Sequence, residues 1–348
     1  MIVRRLSKPI TVGTVTVGGD APIVVQSMTK TDTRNIPATV AQIKELADCG
    51  CEIVRVAVPD TEAAQSISTI KKNTSIPLIA DIHFDYRLAL AALKGGADGL
   101  RLNPGNISDV SQIAKVVQAA NERETPIRIG INAGSLPPTP KPYSSIANHM
   151  VSVALEQINL LEGLDFDLIK VSLKAFDVPA TIKAYTIIAK KIPYPLHLGI
   201  TEAGLPKTGA VRSAVGIGIL LHEGIGDTIR VSLSDHPCEE VNTAYEILKS
   251  LDLRQHGPTL ISCPACGRAE VDIISLAQSV DKSLRGITKP IKVAVMGCVV
   301  NGPGEAQDAD VGIACGKGRG AIFSKGKVIR TVDETDFLQA LMAEVKNL

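Results

Sequence analysis

At 348 residues the chain is long for one domain and short for three, and a hydrophobic share of 45% is sufficient for a globular core. Aromatic residues make up only 3% and tryptophan is absent, so that core must be aliphatic, as in sheets of parallel strands. A net charge of +1 excludes a protein whose overall electrostatic field attracts nucleic acid.

The N-terminal segment MIVRRLSKPI lacks the apolar stretch of a secretory signal, and no run of about eighteen uncharged apolar residues follows it. We therefore expect a cytoplasmic protein that does not enter a membrane. Residues 9–20, PITVGTVTVGGD, predict a β-hairpin that closes the N-terminal end of the domain that follows.

Short apolar runs then alternate with segments of helical periodicity. The runs are IVVQSM (23–28), EIVRVAV (52–58), PLIADI (77–82), GLRLNP (99–104), PIRIGI (126–131), LIKVSL (168–173), PLHLGI (195–200) and TIRVSL (228–233). Alternating strands and helices predict a parallel sheet, and eight repeats in about 250 residues predict an α/β fold of the closed (β/α)8 or TIM-barrel type. A doubly wound open sheet is the alternative.

Side chains alternate between the two faces of a strand, so one face of each barrel strand points into the lumen. On that face the sequence gathers cations: Arg55, Arg101, Arg128, Lys170, Lys174 and Arg230. Few carboxylates lie beside Asp81, and buried unpaired cations are too costly to be kept for packing. Arginine forks suit phosphate oxygens, so we expect a small, multiply anionic ligand such as a diphosphate at the barrel mouth. For any single cation, pairing with a lumenal carboxylate is the alternative.

Three polar residues near strand ends are candidates for acid–base chemistry. Glu202, in GITEAG after the seventh strand, is the carboxylate best placed to act on a bound diphosphate. The alternative is that Glu202 caps the next helix or pairs with Lys174. Asp81 and His83, in ADIHFD, are candidates for orienting a hydroxyl group or a water molecule, although His83 also fits a packed residue at a strand end.

The barrel pattern stops near residues 255–258, QHGP. After it come the motif CPAC, a helix over about 269–284, a strand over 291–297, the loop CVVNGPGE (298–305), strand-like runs at 310–314 and 320–324, VIRTV, and a closing helix over about 334–346. We therefore predict a barrel domain over 1–257 and a small α+β domain over 258–348.

Three cysteines of the second domain form a pattern of metal ligands. Cys263 and Cys266 of CPAC place two thiolates within reach of one metal centre, and Cys298 follows at the end of a strand. Thiolate ligands narrow the candidate metal centres to zinc or an iron–sulfur cluster. The lack of a second C-x-x-C motif disfavours zinc. Three thiolates leave one position open, and the loop NGPG presents Glu305. Cys315 is an alternative fourth ligand with an unusual spacing for zinc.

The sequence holds seven cysteines, a number that in a chain of this kind favours metal or redox chemistry over disulfides. The remaining ones, Cys49, Cys51 and Cys238, lie in or near helical segments, so we expect them to be core thiols.

Taken together, these motifs closely resemble the family of 4-hydroxy-3-methylbut-2-enyl diphosphate synthases, the iron–sulfur enzymes of the methylerythritol phosphate pathway to isoprenoids. The matching segments are VQSMT (25–29), EIVRVAVP (52–59), ADIHFD (80–85), LRLNPGN (100–106), RIGINAGSL (128–136), HLGITEAG (197–204), RVSLS (230–234), SCPACGR (262–268) and MGCVVNGPGE (296–305). No large insertion separates the two domains, which matches the short bacterial form.

The resemblance implies two-electron reductive ring opening and dehydration of 2-C-methyl-D-erythritol 2,4-cyclodiphosphate to 4-hydroxy-3-methylbut-2-enyl diphosphate. It implies a [4Fe-4S] cluster whose ligands are Cys263, Cys266, Cys298 and Glu305. It implies a catalytic Glu202, with Asp81 and His83 nearby. It also implies diphosphate contacts from Arg55, Arg101, Arg128, Asn132, Lys174, Arg230 and Ser232.

Flavodoxin or ferredoxin is the implied electron donor, and the implied assembly is a homodimer in which each barrel faces the partner's cluster domain. The basic segment 317–330 fits either an acidic electron carrier or an ordinary solvated hairpin. Two other functions remain open on the residues alone. One is a non-redox phosphate-binding barrel with a structural zinc domain, and the other is a cluster sensor that binds a phosphorylated ligand without turnover.

Overall fold

The computed structural model describes residues 2–83, 85–102, 109–138, 145–298 and 306–348. The chain divides into two compact units, residues 1–254 and 255–348. The predicted limit between residues 257 and 258 lies in the same stretch of chain, and the assignment of a substrate domain and a cluster domain stays a prediction. Among the described helices, none combines the length and apolar character needed to span a bilayer.

The first unit begins with the predicted hairpin, in which β1 (Ile10–Val12) pairs antiparallel with β2 (Val15–Val17). A parallel sheet follows, and in the described part of the chain its eight strands are β3 (Val24–Met28), β4 (Ile53–Ala57), β5 (Leu78–Ile82), β6 (Gly99–Leu102), β7 (Ile127–Asn132), β8 (Ile169–Lys174), β9 (His197–Leu198) and β10 (Thr228–Ile229). Each strand overlaps one of the predicted apolar runs, and β7 and β8 extend one residue beyond theirs.

Helices alternate with these strands. They are α1 (Ile36–Asp48), α2 (Thr61–Lys72), α3 (Tyr86–Lys94), α4 (Val110–Asn121), α5 (Ile146–Glu162), α6 (Val178–Ala189), α7 (Pro206–His222) and α8 (Pro237–Ser250), with a short 3-10 turn at Ala133–Ser135. Polar side chains accept backbone N–H groups at the start of several helices, and these caps are Asn35, Asp60, Asp85, Asp109, Ser145 and Asp177. Each such cap contributes about 1 kcal/mol.

The sheet closes into a barrel. Its strand order is β8-β7-β6-β5-β4-β3-β10-β9, and a parallel bridge between Val171 of β8 and Leu196 beside β9 joins the two ends. The Val171 N–H also donates to the carbonyl oxygen of Pro195 at 2.9 Å. The barrel prediction is therefore confirmed, and the alternative of an open, doubly wound sheet is wrong.

The hairpin closes the N-terminal end of the barrel, as predicted. Val12 and Val17 are buried with Val24, Ile53 and Ile79, which lie at or near the first residues of their strands. This apolar plug keeps water out of one end of the lumen. Ligand access is therefore restricted to the opposite end, where the strands terminate.

In its described residues, the second unit holds a mixed sheet and two packed helices. Its described elements are β11 (Thr259–Ser262), α9 (Ile273–Leu284), β12 (Lys292–Met296), β13 (Val311–Gly316), β14 (Arg319–Ser324), β15 (Lys327–Asp333), a 3-10 turn (Glu334–Asp336) and α10 (Phe337–Lys346). Strands β11, β12 and β13 run parallel, and β14 and β15 complete the sheet as an antiparallel hairpin. β11 was not predicted from the sequence, and it is a short edge strand whose residues are half-buried or exposed.

Candidate active site

The lumen of the barrel is strongly cationic. The predicted lumenal side chains Arg55, Arg101, Arg128, Lys170 and Lys174 are at most 9% exposed, whereas Arg230, one residue beyond β10, is half-buried. The opposite strand face packs on the helices, as predicted, with Leu100, Ile127 and Val171 in the apolar core. Alternation along the strands therefore separates the cations from the core.

Asp81 is the centre of one group of charges. Its carboxylate lies 3.0 Å from Nη1 of Arg101, 3.5 Å from Nε of Arg55 and 3.6 Å from Nε2 of His83. Burial alone would raise the pKa of Asp81, but Arg55, the hydrogen bond with His83 and Arg101 together hold it well below its usual value. Asp81 is therefore a fixed anion. The structure brings His83 next to it, with 47% of the imidazole exposed.

Glu240 is a second buried carboxylate in this region, and it was not among the predicted site residues. It is 1% exposed and lies 3.5 Å from Nη2 of Arg230 and 3.4 Å from Nζ of Lys30. It also accepts hydrogen bonds from the Ser27 hydroxyl at 3.2 Å and the Leu233 N–H at 3.1 Å. We expected few carboxylates near the lumenal cations other than Asp81. For Arg230 this expectation is wrong, because Glu240 is its counter-ion.

Three lumenal cations have no carboxylate partner among the described residues. Arg128 donates to the Ser172 hydroxyl at 2.8 Å, but its Nε and Nη2 atoms and Nζ of Lys170 are buried without a hydrogen-bond partner. Nζ of Lys174 lies 3.1 Å from Nε2 of His197. Burial lowers the pKa of Arg128, with further repulsion from Arg55, and burial beside Arg128 lowers the pKa of Lys170 to about 7.

His197 is a further buried group of the lumen, for which the sequence suggested no role. It is 0% exposed, and its two ring nitrogens contact Nζ of Lys174 and, at 2.7 Å, the hydroxyl oxygen of Thr228. Burial lowers its pKa well below the ordinary value, and Lys174 lowers it further. A neutral imidazole can therefore accept a hydrogen bond from Nζ of Lys174 and orient that side chain.

A cavity of about 540 Å³ opens beside the ends of β7, β8 and β9. Asn132 and Glu202 line it, together with the ring of Phe176. Glu202 is exposed and has a left-handed backbone with φ +56°, an unusual conformation for a residue other than glycine. The alternative that Glu202 caps the next helix is wrong, because α7 begins after Leu205 with no side-chain cap. Ser232, a predicted ligand, is half-buried two residues beyond Arg230.

In the second unit, the predicted cluster cysteines lie at the carboxyl ends of adjacent parallel strands. Ser262 of β11 is paired with Val295 of β12, so Cys263 and Cys298 follow neighbouring strand ends. The Gly297 N–H donates to Sγ of Cys263 at 3.2 Å. Backbone N–H groups aimed at cysteine sulfur suit an iron–sulfur ligand, since such hydrogen bonds tune the cluster. The donor set therefore fits a cluster.

Cys266 is exposed, and a hydrogen bond from the Arg268 backbone lowers its thiol pKa. Cys315, the alternative fourth ligand, is instead 0% exposed in the core of the second unit, where burial raises its pKa to about 12. The predicted ligand Glu305 lies outside the described residues. The basic segment forms the β14–β15 hairpin, in which Arg319 pairs with Asp333.

Two cysteines assigned to the core form a disulfide instead. Cys49 and Cys238, 189 residues apart in the sequence, are bonded to each other, with their Cα atoms separated by 6.0 Å. The interpretation of these two residues as core thiols is wrong, because sequence distance conceals that α1 and α8 are neighbours around the barrel. Cys51 is a buried free thiol, as predicted.

Comparisons with known proteins agree with this architecture. A family model described as the GcpE TIM-barrel domain matches residues 7–245, and one described as the GcpE protein C-terminal domain matches residues 259–347. The chain is 65% identical to the 4-hydroxy-3-methylbut-2-en-1-yl diphosphate synthase (flavodoxin) of Dehalococcoides mccartyi, with 100% of both chains covered. The enzyme of the same name from Geobacter sulfurreducens is 56% identical, with 99% of this chain and 98% of that protein covered.

Solved structures share the barrel. Dihydropteroate synthase from Xanthomonas albilineans in complex with 7,8-dihydropteroate matches with a TM-score of 0.53 and 16% identity, covering 71% of this chain and 99% of that chain. The enzyme from Yersinia pestis matches with a TM-score of 0.52 and 10% identity, covering 70% of this chain and 98% of that chain. At these identities the likeness extends to the fold alone.

Proposed function

The chain belongs to the GcpE family of 4-hydroxy-3-methylbut-2-en-1-yl diphosphate synthases, and from that premise we propose how its residues divide the reaction. The enzyme is an oxidoreductase of isoprenoid precursor synthesis. It opens the ring of 2-C-methyl-D-erythritol 2,4-cyclodiphosphate with two electrons and releases water and 4-hydroxy-3-methylbut-2-enyl diphosphate. The names of the curated relatives include flavodoxin in parentheses, which supports a flavodoxin as the electron donor of this enzyme.

The observation that carries the site assignment is the set of buried donors with no protein partner. Nε and Nη2 of Arg128 and Nζ of Lys170 lose hydration without gaining a hydrogen bond in the described structure. Such a site is costly unless an anion occupies it. We assign the diphosphate to the side chains implied by the family resemblance, which are Arg55, Arg101, Arg128, Asn132, Lys174, Arg230 and Ser232.

Glu202 is the proposed acid–base residue. It lines the same cavity as Asn132, so its carboxyl group can approach the organic part of a ligand whose phosphates are held by the lumen. Asp81 and His83 have a supporting role in this proposal. Asp81 orients two arginines and the imidazole, and His83, whose side chain is 47% exposed, is the proposed contact for a hydroxyl group or a water molecule.

The resident cofactor in this proposal is a [4Fe-4S] cluster, for which the proposed ligands are Cys263, Cys266, Cys298 and Glu305. When bound, it would pass the electrons of the external donor to the substrate. The Gly297 N–H group donates a hydrogen bond to Sγ of Cys263, and Cys263 packs against a buried apolar cluster that includes Met296 and Phe323. A homodimer, a cytoplasmic location and ferredoxin as an alternative donor are further proposals that rest on the family resemblance.

Anaerobic protein tests the proposal through iron content and product analysis. We expect about four irons per chain and turnover of the cyclodiphosphate with dithionite and a viologen. The Arg128→Met variant should bind iron normally but lose most activity, whereas Arg123→Met, which changes an exposed arginine, should leave both unchanged. Stoichiometric zinc without iron would support the structural zinc domain, and a loaded cluster without turnover would support the sensor.

A further inference from the structure

The disulfide between Cys49 and Cys238 joins the first and last helices of the barrel. Cys49 caps the C-terminus of α1, and Cys238 is the second residue of α8. These two helices pack against each other beside β3 and β10, whose pairing is limited to two residues on each strand. The bond therefore fastens the barrel at a place where the sheet itself has few hydrogen bonds.

The surroundings of Cys238 favour its thiolate. The Cys238 N–H donates to Nδ1 of His236 at 3.4 Å, and Nε2 of His236 lies 3.4 Å from a carboxylate oxygen of Glu45. A helix N-terminus stabilises a thiolate, which makes Cys238 the better leaving group in disulfide exchange. Cys51 contrasts with it, because burial raises the pKa of that thiol to about 12.

The disulfide is also close to the proposed anion site. Glu240 follows Cys238 by two residues in the first turn of α8, and its carboxylate contacts Arg230 and Lys30. Fastening this turn to α1 restricts the motion of Glu240. Arg230 is one of the proposed diphosphate contacts. A change in the bonding of Cys238 can therefore affect ligand binding through the contact between Glu240 and Arg230.

We propose that Cys49 and Cys238 are a thiol–disulfide exchange site whose oxidised form holds Glu240 against Arg230 and strengthens binding of the anionic substrate. The half-buried Cys49 is the sulfur that an external protein dithiol attacks. A thiolate of the dithiol forms a bond to Sγ of Cys49, while the Cys49–Cys238 bond breaks and Cys238 leaves as a thiolate. The second thiol of the dithiol then displaces Cys49, so two protein thiols form and the dithiol becomes a disulfide. The effect on binding rests on the proposed function, whereas the exchange itself does not.

Differential alkylation of the cluster-loaded full chain tests the exchange. The protein is equilibrated anaerobically in graded ratios of reduced and oxidised dithiothreitol, labelled with N-ethylmaleimide, reduced, labelled again and analysed by peptide mass spectrometry. We expect Cys49 and Cys238 to change together. Cys51→Ser should leave this transition in place, and Cys238→Ser should leave Cys49 labelled at every ratio. The proposal is overturned if both thiols are labelled at every ratio, or if neither is labelled even at the most reducing ratio.

Binding of inorganic pyrophosphate to the two redox forms tests the link to Glu240. We expect the oxidised form to bind about threefold more tightly, and Cys49→Ser and Cys238→Ser to abolish the difference. Equal affinity of both forms would overturn the link. Absence of pyrophosphate binding in both forms would instead contradict the proposed lumenal site, while the labelling experiment would still decide whether the exchange occurs.

Discussion

Nη2 of Arg230 lies 3.5 Å from the carboxylate of Glu240, which comes from the first turn of α8 and not from a barrel strand. Lys30 contacts the same carboxylate, so the group of three carries a net charge of +1 and still attracts an anion. Nε of Arg230 has no hydrogen-bond partner in the described structure. Glu240 therefore orients the arginine without cancelling the positive potential of the site.

Glu240→Gln should weaken substrate binding more than it slows turnover. Gln keeps the shape of the side chain but removes the ion pair that holds Arg230, and repulsion of the substrate by Glu240 is already screened by two cations. We expect KM for the cyclodiphosphate to rise about tenfold, or about 1.4 kcal/mol, with kcat changed less than threefold. Steady-state kinetics at fixed cluster content measure both. The neighbouring Glu239→Gln should leave KM unchanged, and an equal effect of the two variants would contradict this role.

Lys170→Met should stabilise the substrate-free protein, and more so at low pH. The pKa of this lysine is lowered from 10.5 to about 7 in the fold, because it is buried and faces Arg128 and Arg55, with Asp227 as the opposing charge. The unfolded chain binds the proton more tightly, so the cost of burying the charge is complete below pH 7 and declines as pH rises toward 10.5.

The measurement is the midpoint of anaerobic thermal unfolding at about pH 6 and about pH 9. At 1.36 kcal/mol per pKa unit, the advantage of Lys170→Met should be roughly 2 to 3 kcal/mol smaller at the higher pH. Lys183→Met, at an exposed position on α6, should show no such dependence. A gain that is equal at both pH values would mean that Lys170 keeps its charge throughout this range.

The barrel could be predicted from the sequence because each of its strands is a local apolar run. The lengths of β9 and β10 could not, since both apolar runs extend well beyond the two residues that each strand contains. One residue beyond β10, the Arg230 N–H still donates to the Leu198 carbonyl oxygen of β9 at 3.0 Å. Strand length at the closure depends on tertiary geometry, which periodicity does not describe.

The lumenal cations were predictable for a related reason, since alternation alone assigns Arg101 and Arg128 to the inner face. Glu240 was not, because an acidic residue in the first turn of a helix has an ordinary local explanation in the helix dipole. Its contact with Arg230 depends on how α8 returns to the barrel. The same holds for Cys49 and Cys238, whose contact depends on the pairing of the first and last helices.

Cys298→Ala should abolish cluster binding, whereas Cys315→Ala should not. Cys298 follows the strand end beside Cys263, and Cys315 is fully buried in the apolar core. We expect iron and the visible absorbance to be lost in the first variant. The second should keep about four irons and lose about 1 to 2 kcal/mol of stability from the cavity. Iron loss in both variants would indicate that Cys315 is the fourth ligand.

Arg212→Gln should lower kcat through Glu202 alone. Arg212, on α7, donates to the Ala203 carbonyl at 2.7 Å, and its guanidinium lies 5.1 Å from the centre of the Phe176 ring. These contacts hold the carbonyl of Ala203, the residue after Glu202, and the left-handed backbone of Glu202 itself costs roughly 1 to 2 kcal/mol. Without them Glu202 relaxes to an extended conformation, so kcat should fall about tenfold at an almost unchanged KM.

A double-mutant cycle with Glu202→Gln distinguishes positioning from general damage to the fold. If Arg212 acts through Glu202, adding Arg212→Gln to Glu202→Gln should cause no further loss of kcat, because the group being positioned is already absent. Lys207→Gln on the same helix is the matched control and should leave kcat unchanged in both backgrounds. A second tenfold loss in the double variant would show that Arg212 supports the structure of the barrel mouth independently of Glu202.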